Sequence, residues 1–230
     1  MTSQTPPDIK LIAETNAGTA QVEAGIAYLA GDGVPKDEVK AVAYFKRAAE
    51  ELGSANAQLM LGICYTVGTG VAVNPTEAAK WFRLSAEQGS ASAQYQLGQC
   101  YAGGLGVIAD MNEAVRWFRA SAELGDPGAQ FTLGLCYANA SGGLEKDMAE
   151  AARWYRKAAD QGFAEAQYEL GTLYRKGEGV PQDLAEGIRL GKMGSAKSQV
   201  QSTQQNQKGC LLLLPALLVT LAVITAYCLL

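Results

Sequence analysis

The sequence predicts an all-α fold: a solenoid of about five antiparallel helix pairs, 36–37 residues each, with a C-terminal transmembrane helix. Two observations lead to this fold class. An Ala-Gln pair recurs with starts near residues 20, 57, 93, 129 and 166, and Leu-Gly follows it in the last four copies, where the first has Ala-Gly. Self-similarity at a period of about 20–50 residues is typical of a solenoid, whose units pack mainly on their neighbours. The last 20 residues, 211–230, carry no charge, which is typical of a membrane-spanning helix.

Composition narrows the function classes. The 230 residues include no His, the commonest general base and imidazole metal ligand. Residues 1–190 carry 16 basic and 23 acidic side chains. Nucleic-acid-binding domains present a basic surface, so this acidic body disfavours a nucleic-acid partner. We find no motif for a cofactor, a metal ion or a catalytic set, and we expect a protein that is not an enzyme.

The chain divides into four parts. Residues 1–19 form an N-terminal tail and a capping helix, which we place at residues 8–15. Residues 20–194 form the repeat solenoid. Residues 195–209 are rich in Ser, Gln and Lys and indicate a flexible linker. Residues 210–230 form the membrane anchor.

A glycine interrupts the first helix of every repeat. Glycine inside a helix costs about 1 kcal/mol relative to alanine, so its recurrence needs a structural reason. We expect the paired helix to approach closely at this point. The five positions are Gly25, Gly62, Gly98, Gly134 and Gly171.

A Gly-x-Gly-Val segment such as Gly68, Gly70 and Val71 joins the two helices. The alternative is a phosphate-binding loop. Such loops follow a strand and continue into Gly-Lys-Ser/Thr, whereas this segment follows a helix and lacks that continuation. The glycines therefore indicate a turn.

The second helix opens with Asp or Asn, and in four repeats Glu follows three residues later. This spacing predicts an N-terminal capping box, in which the two side chains bond each other's backbone amides. Paired carboxylates also serve acid–base chemistry, but an enzyme needs one site and not a copy in every repeat. The opening residues are Asp37, Asn74, Asp110, Asp147 and Asp183.

An aromatic pair follows in the second helix, as in Trp81-Phe82, with basic residues beside it. Stacking on nucleic-acid bases is one interpretation. Packing between helices, with the basic groups in solvent, accounts for the same pattern, and we favour it.

Three cysteines share one column of the repeat, where the other two repeats have Ala27 and Leu173. A column that accepts Cys, Ala or Leu is a small apolar packing position, so we expect buried free thiols. The odd cysteine count favours a reducing compartment over a disulfide framework. The five cysteines are Cys64, Cys100, Cys136, Cys210 and Cys228.

The apolar segment 211–230 would span about 30 Å as a helix, the thickness of a bilayer core. A buried core helix is the alternative, but a solenoid has no closed core to hold one. Lys208 and the other linker lysines place the repeats on the cytosolic side. We expect a single-pass, tail-anchored membrane protein, in an endomembrane such as the endoplasmic reticulum in a eukaryote. Cys210, at the membrane edge, is a candidate palmitoylation site.

The pattern Ala57-Gln58, Leu61-Gly62 and Tyr65, then Gly68, Gly70 and Val71, then Trp81-Phe82-Arg83, resembles the Sel-one-like repeat family. These repeats are relatives of the tetratricopeptide repeat. The resemblance covers residues 20–191 and implies an α-solenoid that binds proteins. Similar proteins assemble membrane-associated complexes, including degradation machinery at the endoplasmic reticulum, activate membrane enzymes such as chitin synthase, or are secreted bacterial factors. The family has no shared catalytic residues.

Columns 4, 7 and 11 of the first helix vary most among the five copies and share one helical face. A constant scaffold with one variable face is how a solenoid builds a binding surface, so we expect a partner protein there. The alternative is a solvent-facing surface free to drift. This variable face comprises Glu23, Ile26, Met60, Ile63, Val67, Gln96, Gln99, Thr132, Leu135, Asn139, Glu169, Thr172 and Lys176.

Three functions compete. The leading one is a non-enzymatic, membrane-anchored adaptor that presents the repeats to partner proteins. The second is an activating or regulatory subunit of a single membrane enzyme. The third, a hydrolase of a small substrate, is opposed by the lack of His and of a unique set of polar residues.

Overall fold

The computed structural model describes the backbone of residues 17–207 and the side chains of residues 18–195. The predicted capping helix at residues 8–15 and the apolar segment 211–230 lie outside the described residues. Residues 17–207 form ten α-helices and no strand, so the all-α prediction is confirmed there. The helices are α1 (Ala17–Ala30), α2 (Glu38–Glu51), α3 (Ala55–Val67), α4 (Pro75–Glu87), α5 (Ala91–Gly103), α6 (Met111–Glu123), α7 (Pro127–Asn139), α8 (Met148–Asp160), α9 (Ala164–Lys176) and α10 (Leu184–Gln207).

The described helices belong to two compact units. The first unit contains α1 to α4, α5 as far as Leu97, and residues 105–108. The second unit contains the rest of α5 from Gly98, residue 104, and the chain from residue 109 onward. The division falls inside α5, between Leu97 and Gly98.

The first helices of repeats two to four begin two residues before the Ala-Gln pair, and a side chain caps each one. Ser54 Oγ accepts from the backbone N–H of Ala57, and Asp126 Oδ1 accepts from that of Ala129 at 2.8 Å. Ser90 Oγ accepts from the backbone N–H of Ala93 in the same way. These caps were missed in the sequence, where the Ala-Gln pair itself served as the helix start.

The second helices carry the predicted N-caps. In four of them the carboxylate of Asp37, Asp110, Asp147 or Asp183 accepts from a backbone N–H, and in the other Asn74 does so. The other predicted bond of the capping box, from the backbone N–H of the cap residue to the glutamate side chain, was wrong. The amide of each cap donates instead to the carbonyl of the Tyr that ends the first helix, as Asp110 does to Tyr101 at 3.0 Å.

The glutamates three residues after these caps instead form ion pairs with basic residues one turn later. Glu113 lies 2.8 Å from Arg116, and Glu186 lies 2.7 Å from Arg189. Both arginines are exposed, and ion pairs in such positions contribute little to stability. The Asp and Asn side chains cap the helix starts, and the glutamates that follow them form surface ion pairs.

The paired helix approaches closely at each helix glycine, as the sequence predicted, and in four of the five pairs an aromatic ring makes the contact. A Cβ atom on Gly98 or Gly134 would lie 2.6 Å from the ring of Phe118 or Tyr155, respectively. Gly25 and Gly62 face Phe45 and Phe82 in the same way. The rings are buried, so the glycines create the space that these side chains fill.

The fifth pair packs differently. A Cβ atom on Gly171 would lie 2.8 Å from the carbonyl oxygen of Gly187 and 2.9 Å from the backbone nitrogen of Gly191. The aromatic pair is replaced by Leu190-Gly191, so the two helix backbones approach each other directly. Small residues thus allow close contact at the C-terminal end of the repeats.

Helix α10 continues to Gln207 and passes through much of the flexible linker expected at residues 195–209. The expected flexible linker is therefore helical in the structure as far as Gln207. Residues 195–207 contain neither Gly nor Pro, and Gln and Lys are good helix formers. A polar composition alone therefore does not predict an irregular backbone.

We expect Gly134→Ala to lower the free energy of unfolding by about 1–3 kcal/mol, because the added Cβ would overlap the ring of Tyr155. The matched control is Gly18→Ala, whose Cβ would lie 3.9 Å from Ser54 Cβ, an ordinary contact. That variant should be neutral or more stable, since alanine favours helix. Denaturant unfolding measures both. An unchanged Gly134→Ala protein would contradict the proposed close packing.

Candidate functional site

The turn glycine two residues after the C-cap of the first helix lies against the preceding repeat. A Cβ atom on Gly142 would lie 2.6 Å from the carbonyl oxygen of Met111, the first residue of α6 in the preceding repeat. Gly70 and Gly179 stand in the same relation to Glu38 and Met148. All three glycines have positive φ, a conformation that other residues rarely adopt. The turn thus packs against the start of the second helix of the preceding repeat.

The constant glutamines are buried and join one repeat to the preceding one. Gln130 Nε2 donates to the carbonyl of Ala122, and Gln167 Nε2 donates to that of Ala159, both at 3.1 Å. Gln161 Nε2 donates in turn to Gln130 Oε1 at 2.8 Å. Sequence reasoning missed this role. The available signal was a polar residue kept in an otherwise apolar column.

The variable face of the first unit has four apolar side chains and two polar ones, which differ in exposure. Ile26 in α1 is 45% exposed, and Glu23 is also exposed. Ile63 and Val67 in α3 are half-buried, as is Gln96 in α5. Met60 is also half-buried, but it packs against the buried cluster that includes Leu61 and Trp81. Met60 therefore belongs partly to the core.

The variable face of the second unit is more polar and more enclosed. Gln99 and Thr132 are only 5% and 4% exposed, so neither forms an open part of the surface. Leu135, Glu169 and Thr172 are half-buried, and Leu135 packs against the core cluster of this unit. Two further positions, Asn139 and Lys176, are exposed. Neighbouring helices can shield a side chain from solvent. The sequence pattern within one helix does not reveal that shielding.

Two polar groups on this face, the Glu169 carboxyl and the Gln99 amide, lose contact with water without full compensation by protein groups. Burial raises the pKa of the Glu169 carboxyl, and the positive charge of Lys176 opposes that rise. Gln99 Nε2 is buried and has no hydrogen-bond partner. Thr172, by contrast, is bonded on both sides, donating to the carbonyl of Tyr168 and accepting from Arg175.

The cysteine column is a packing position. Cys64, Cys100 and Cys136 are buried, which agrees with the expected small apolar column. Burial raises the pKa of Cys64 to about 11 and that of Cys100 to about 12. A nucleophilic cysteine needs a lowered pKa, so these thiols are poor nucleophiles. Within residues 17–207, no group of three or more His, Cys, Asp or Glu side chains is placed to hold a metal ion.

No helix within the described part of the chain is long and apolar enough to cross a membrane. Cys210 and the segment 211–230, on which the membrane prediction depends, lie outside that part.

Comparison with known proteins agrees with the repeat pattern. A family model described as the Sel1 repeat matches residues 18–51, 55–90, 91–126, 127–163 and 164–197. No curated protein matches the sequence. A solved Sel1 repeat protein from Oxalobacter formigenes is 35% identical, with a TM-score of 0.74, over 79% of this chain and 74% of that one.

A second solved structure is c5321, a protective antigen of uropathogenic Escherichia coli strains that displays an SLR fold. It is 37% identical over 82% of this chain, with a TM-score of 0.76, and the match covers 40% of that protein's length. A putative sel1 repeat protein from Klebsiella pneumoniae, 16% identical, shares the fold with a TM-score of 0.54 over 88% of this chain and 97% of that one.

We expect Glu169→Gln to raise the melting temperature at pH 7. The folded state raises the pKa of this carboxyl, so the charged form opposes folding. The stability gained from the neutral form is present below the unfolded pKa, about 4.3, and is lost as pH rises through the folded pKa. The difference between variant and wild type should therefore vanish near pH 3. Glu145→Gln, at an exposed position, is the control. A lower melting temperature for Glu169→Gln at pH 7 would contradict the desolvation.

Proposed function

The chain belongs to the Sel1 repeat family, and from that premise we propose that it is a non-enzymatic adaptor that binds partner proteins on its variable face and is anchored in a membrane by residues 210–230. Sel1 repeat proteins are interaction scaffolds. The observation that carries the proposal is that the constant and the variable positions of each repeat have different structural roles. The constant Gly, Gln, Asp and aromatic residues make packing and capping contacts, whereas the variable face includes exposed side chains, namely Glu23, Ile26, Asn139 and Lys176.

The first unit supplies the apolar part of this surface. Ile26 is exposed at one end, and Ile63 and Val67 are half-buried beside it. Exposed aliphatic side chains next to a polar margin suit an apolar anchor of a partner protein. Met60, because it also packs against the core, is a poor position at which to test binding.

The membrane anchor rests on the sequence. Residues 211–230 carry no charge, and Lys208 precedes them, which supports a single-pass tail anchor with the repeats in the cytosol. An endomembrane such as the endoplasmic reticulum is the proposed location in a eukaryotic cell. Cys210 would lie at the membrane edge, where palmitoylation adds a second attachment.

An activating subunit of one membrane enzyme is the alternative function. Its surface would be the same, and only the partners differ. One stoichiometric enzyme in the purified complex would favour this alternative, and several unrelated partners would favour the adaptor.

We expect Ile26→Asp to reduce partner capture about tenfold while leaving the melting temperature nearly unchanged, since the side chain is already 45% exposed. The partners are first identified by proximity labelling from the membrane-inserted full chain, and capture is then compared in quantitative pull-downs. Val39→Asp is the matched control, because Val39 is 68% exposed but lies on second helix α2. Equal losses in both variants would point away from the variable face.

We also expect the full chain to sediment with membranes and to resist alkaline carbonate, and a chain lacking residues 210–230 to become soluble. Leu221→Arg is a subtler variant, since a charge near the helix centre opposes insertion by about 2.5–3.5 kcal/mol. Orientation has a separate readout in Asn139-Ala140-Ser141, an N-glycosylation sequon. A glycan on Asn139 in a eukaryotic host would place the repeats in the lumen and refute the cytosolic orientation.

A further inference from the structure

The C-terminal end of the repeat array leaves an interface column uncovered. Ile188 in α10 is 52% exposed, whereas the residues at the same column of the four earlier second helices are between 2% and 4% exposed, namely Val42, Ala79, Val115 and Ala152. The following repeat helps to bury this column, because a Cβ atom on the turn glycine Gly142 would overlap the Val115 side chain. At Ile188 the part of the chain that the structure describes supplies no such cover.

The uncovered surface is a stripe along α10. Leu184, Ile188, Gly191 and Ser195 follow one another at steps of four, three and four residues, which is the spacing of a coiled-coil seam. Leu184 is 58% exposed, Ser195 is also exposed, and a Cβ atom on Gly191 would meet nothing within 4 Å. All four residues belong to the second unit. This end stripe therefore combines apolar side chains with a small position at which another helix can approach closely.

Tyr168 of α9 borders the end stripe. Tyr168 is 49% exposed, and a Cβ atom on Gly194 of α10 would lie 3.3 Å from its Cβ. In the preceding repeat the equivalent residue, Phe131, is buried and packs against the ring of Phe163 at a centroid distance of 5.4 Å. Solenoids need terminal repeats with a polar outer face to remain soluble, so an apolar end indicates an interface.

Helix α10 continues past its paired helix toward the proposed anchor. Gly194 lies beside Ala164, the first residue of α9, so α10 from Ser195 to Gln207 extends beyond α9. This extension is about 20 Å long, and isolated helices of that length are marginally stable in water. The proposed anchor begins at residue 210. Two copies anchored in one membrane would therefore present their α10 helices side by side and in parallel.

We propose that two copies of this chain pair through the end stripe, with their α10 helices parallel. A stripe with coiled-coil spacing is self-complementary about a two-fold axis along the helices, and the end stripe contains no charged residue that would repel its copy. A shared membrane supplies the parallel orientation and a high local concentration. The inference rests on the proposed anchor for this orientation, and it adds a self-association surface on a helix that carries none of the variable face.

The first test is disulfide cross-linking of the full chain reconstituted in lipid vesicles, with Cys210→Ser and Cys228→Ser as background. Ile188→Cys should form a covalent dimer on mild oxidation, because the two copies of this residue face each other across the seam. Met193→Cys is the matched control, since Met193 is 39% exposed but lies about 140° around the helix from Ile188. Its dimer yield should be about tenfold lower.

The second test measures the mass of the detergent-solubilised full chain by light scattering. Ile188→Arg should lower the fraction of dimer about tenfold, because it brings two like charges together in the seam. Met193→Arg should pair like wild type. Melting curves establish that each variant is folded.

Equal cross-linking of Ile188→Cys and Met193→Cys would overturn the inference. A dimer that survives Ile188→Arg would also overturn it and would assign pairing to residues 211–230. Restoring Cys228 tests whether the tail of the same chain covers the stripe, since an internal disulfide between Ile188→Cys and Cys228 in place of a dimer would refute pairing. A carbonate-resistant chain that does not cross-link refutes self-association alone. Loss of membrane association refutes the anchor, and the light-scattering mass then decides pairing separately.

Discussion

The close contact between a helix glycine and the aromatic ring of its paired helix is the constraint on which the structure depends. Each such glycine costs helical stability of about 1 kcal/mol, and the ring that fills the resulting space is fully buried. Gly98 against Phe118 and Gly134 against Tyr155 repeat this arrangement. Because the contact sets how closely two helices pair, it also sets the separation at which the next repeat can stack.

Stacking uses a second set of small and polar residues. The turn glycine Gly142 lies on the first turn of the preceding repeat's second helix, and Gln130 bonds to the end of that same helix. The Asp and Asn caps bond within their own helix and to the preceding first helix. The Asp, Asn, Gln and Gly residues that recur in every repeat thus make capping and packing contacts within the solenoid.

Two residues on the variable face do not improve the fold. Gln99 buries an unpaired donor, and Glu169 buries much of a charged carboxylate.

The sequence by itself determined the solenoid class, the helix pairs, the caps of the second helices and the role of the helix glycines, because each depends on partners within one repeat and recurs five times. Only the tertiary structure decided what happens between repeats. In the structure, the constant glutamines donate to backbone carbonyls of the preceding repeat, and the amides of the cap residues donate to a tyrosine carbonyl and not to the glutamate of a capping box. Gln99 and Thr132 are buried, and α10 continues to Gln207. Helical periodicity specifies which residues share a face. It does not specify how neighbouring helices are rotated and spaced, and that geometry decides which of those residues solvent or a partner can reach.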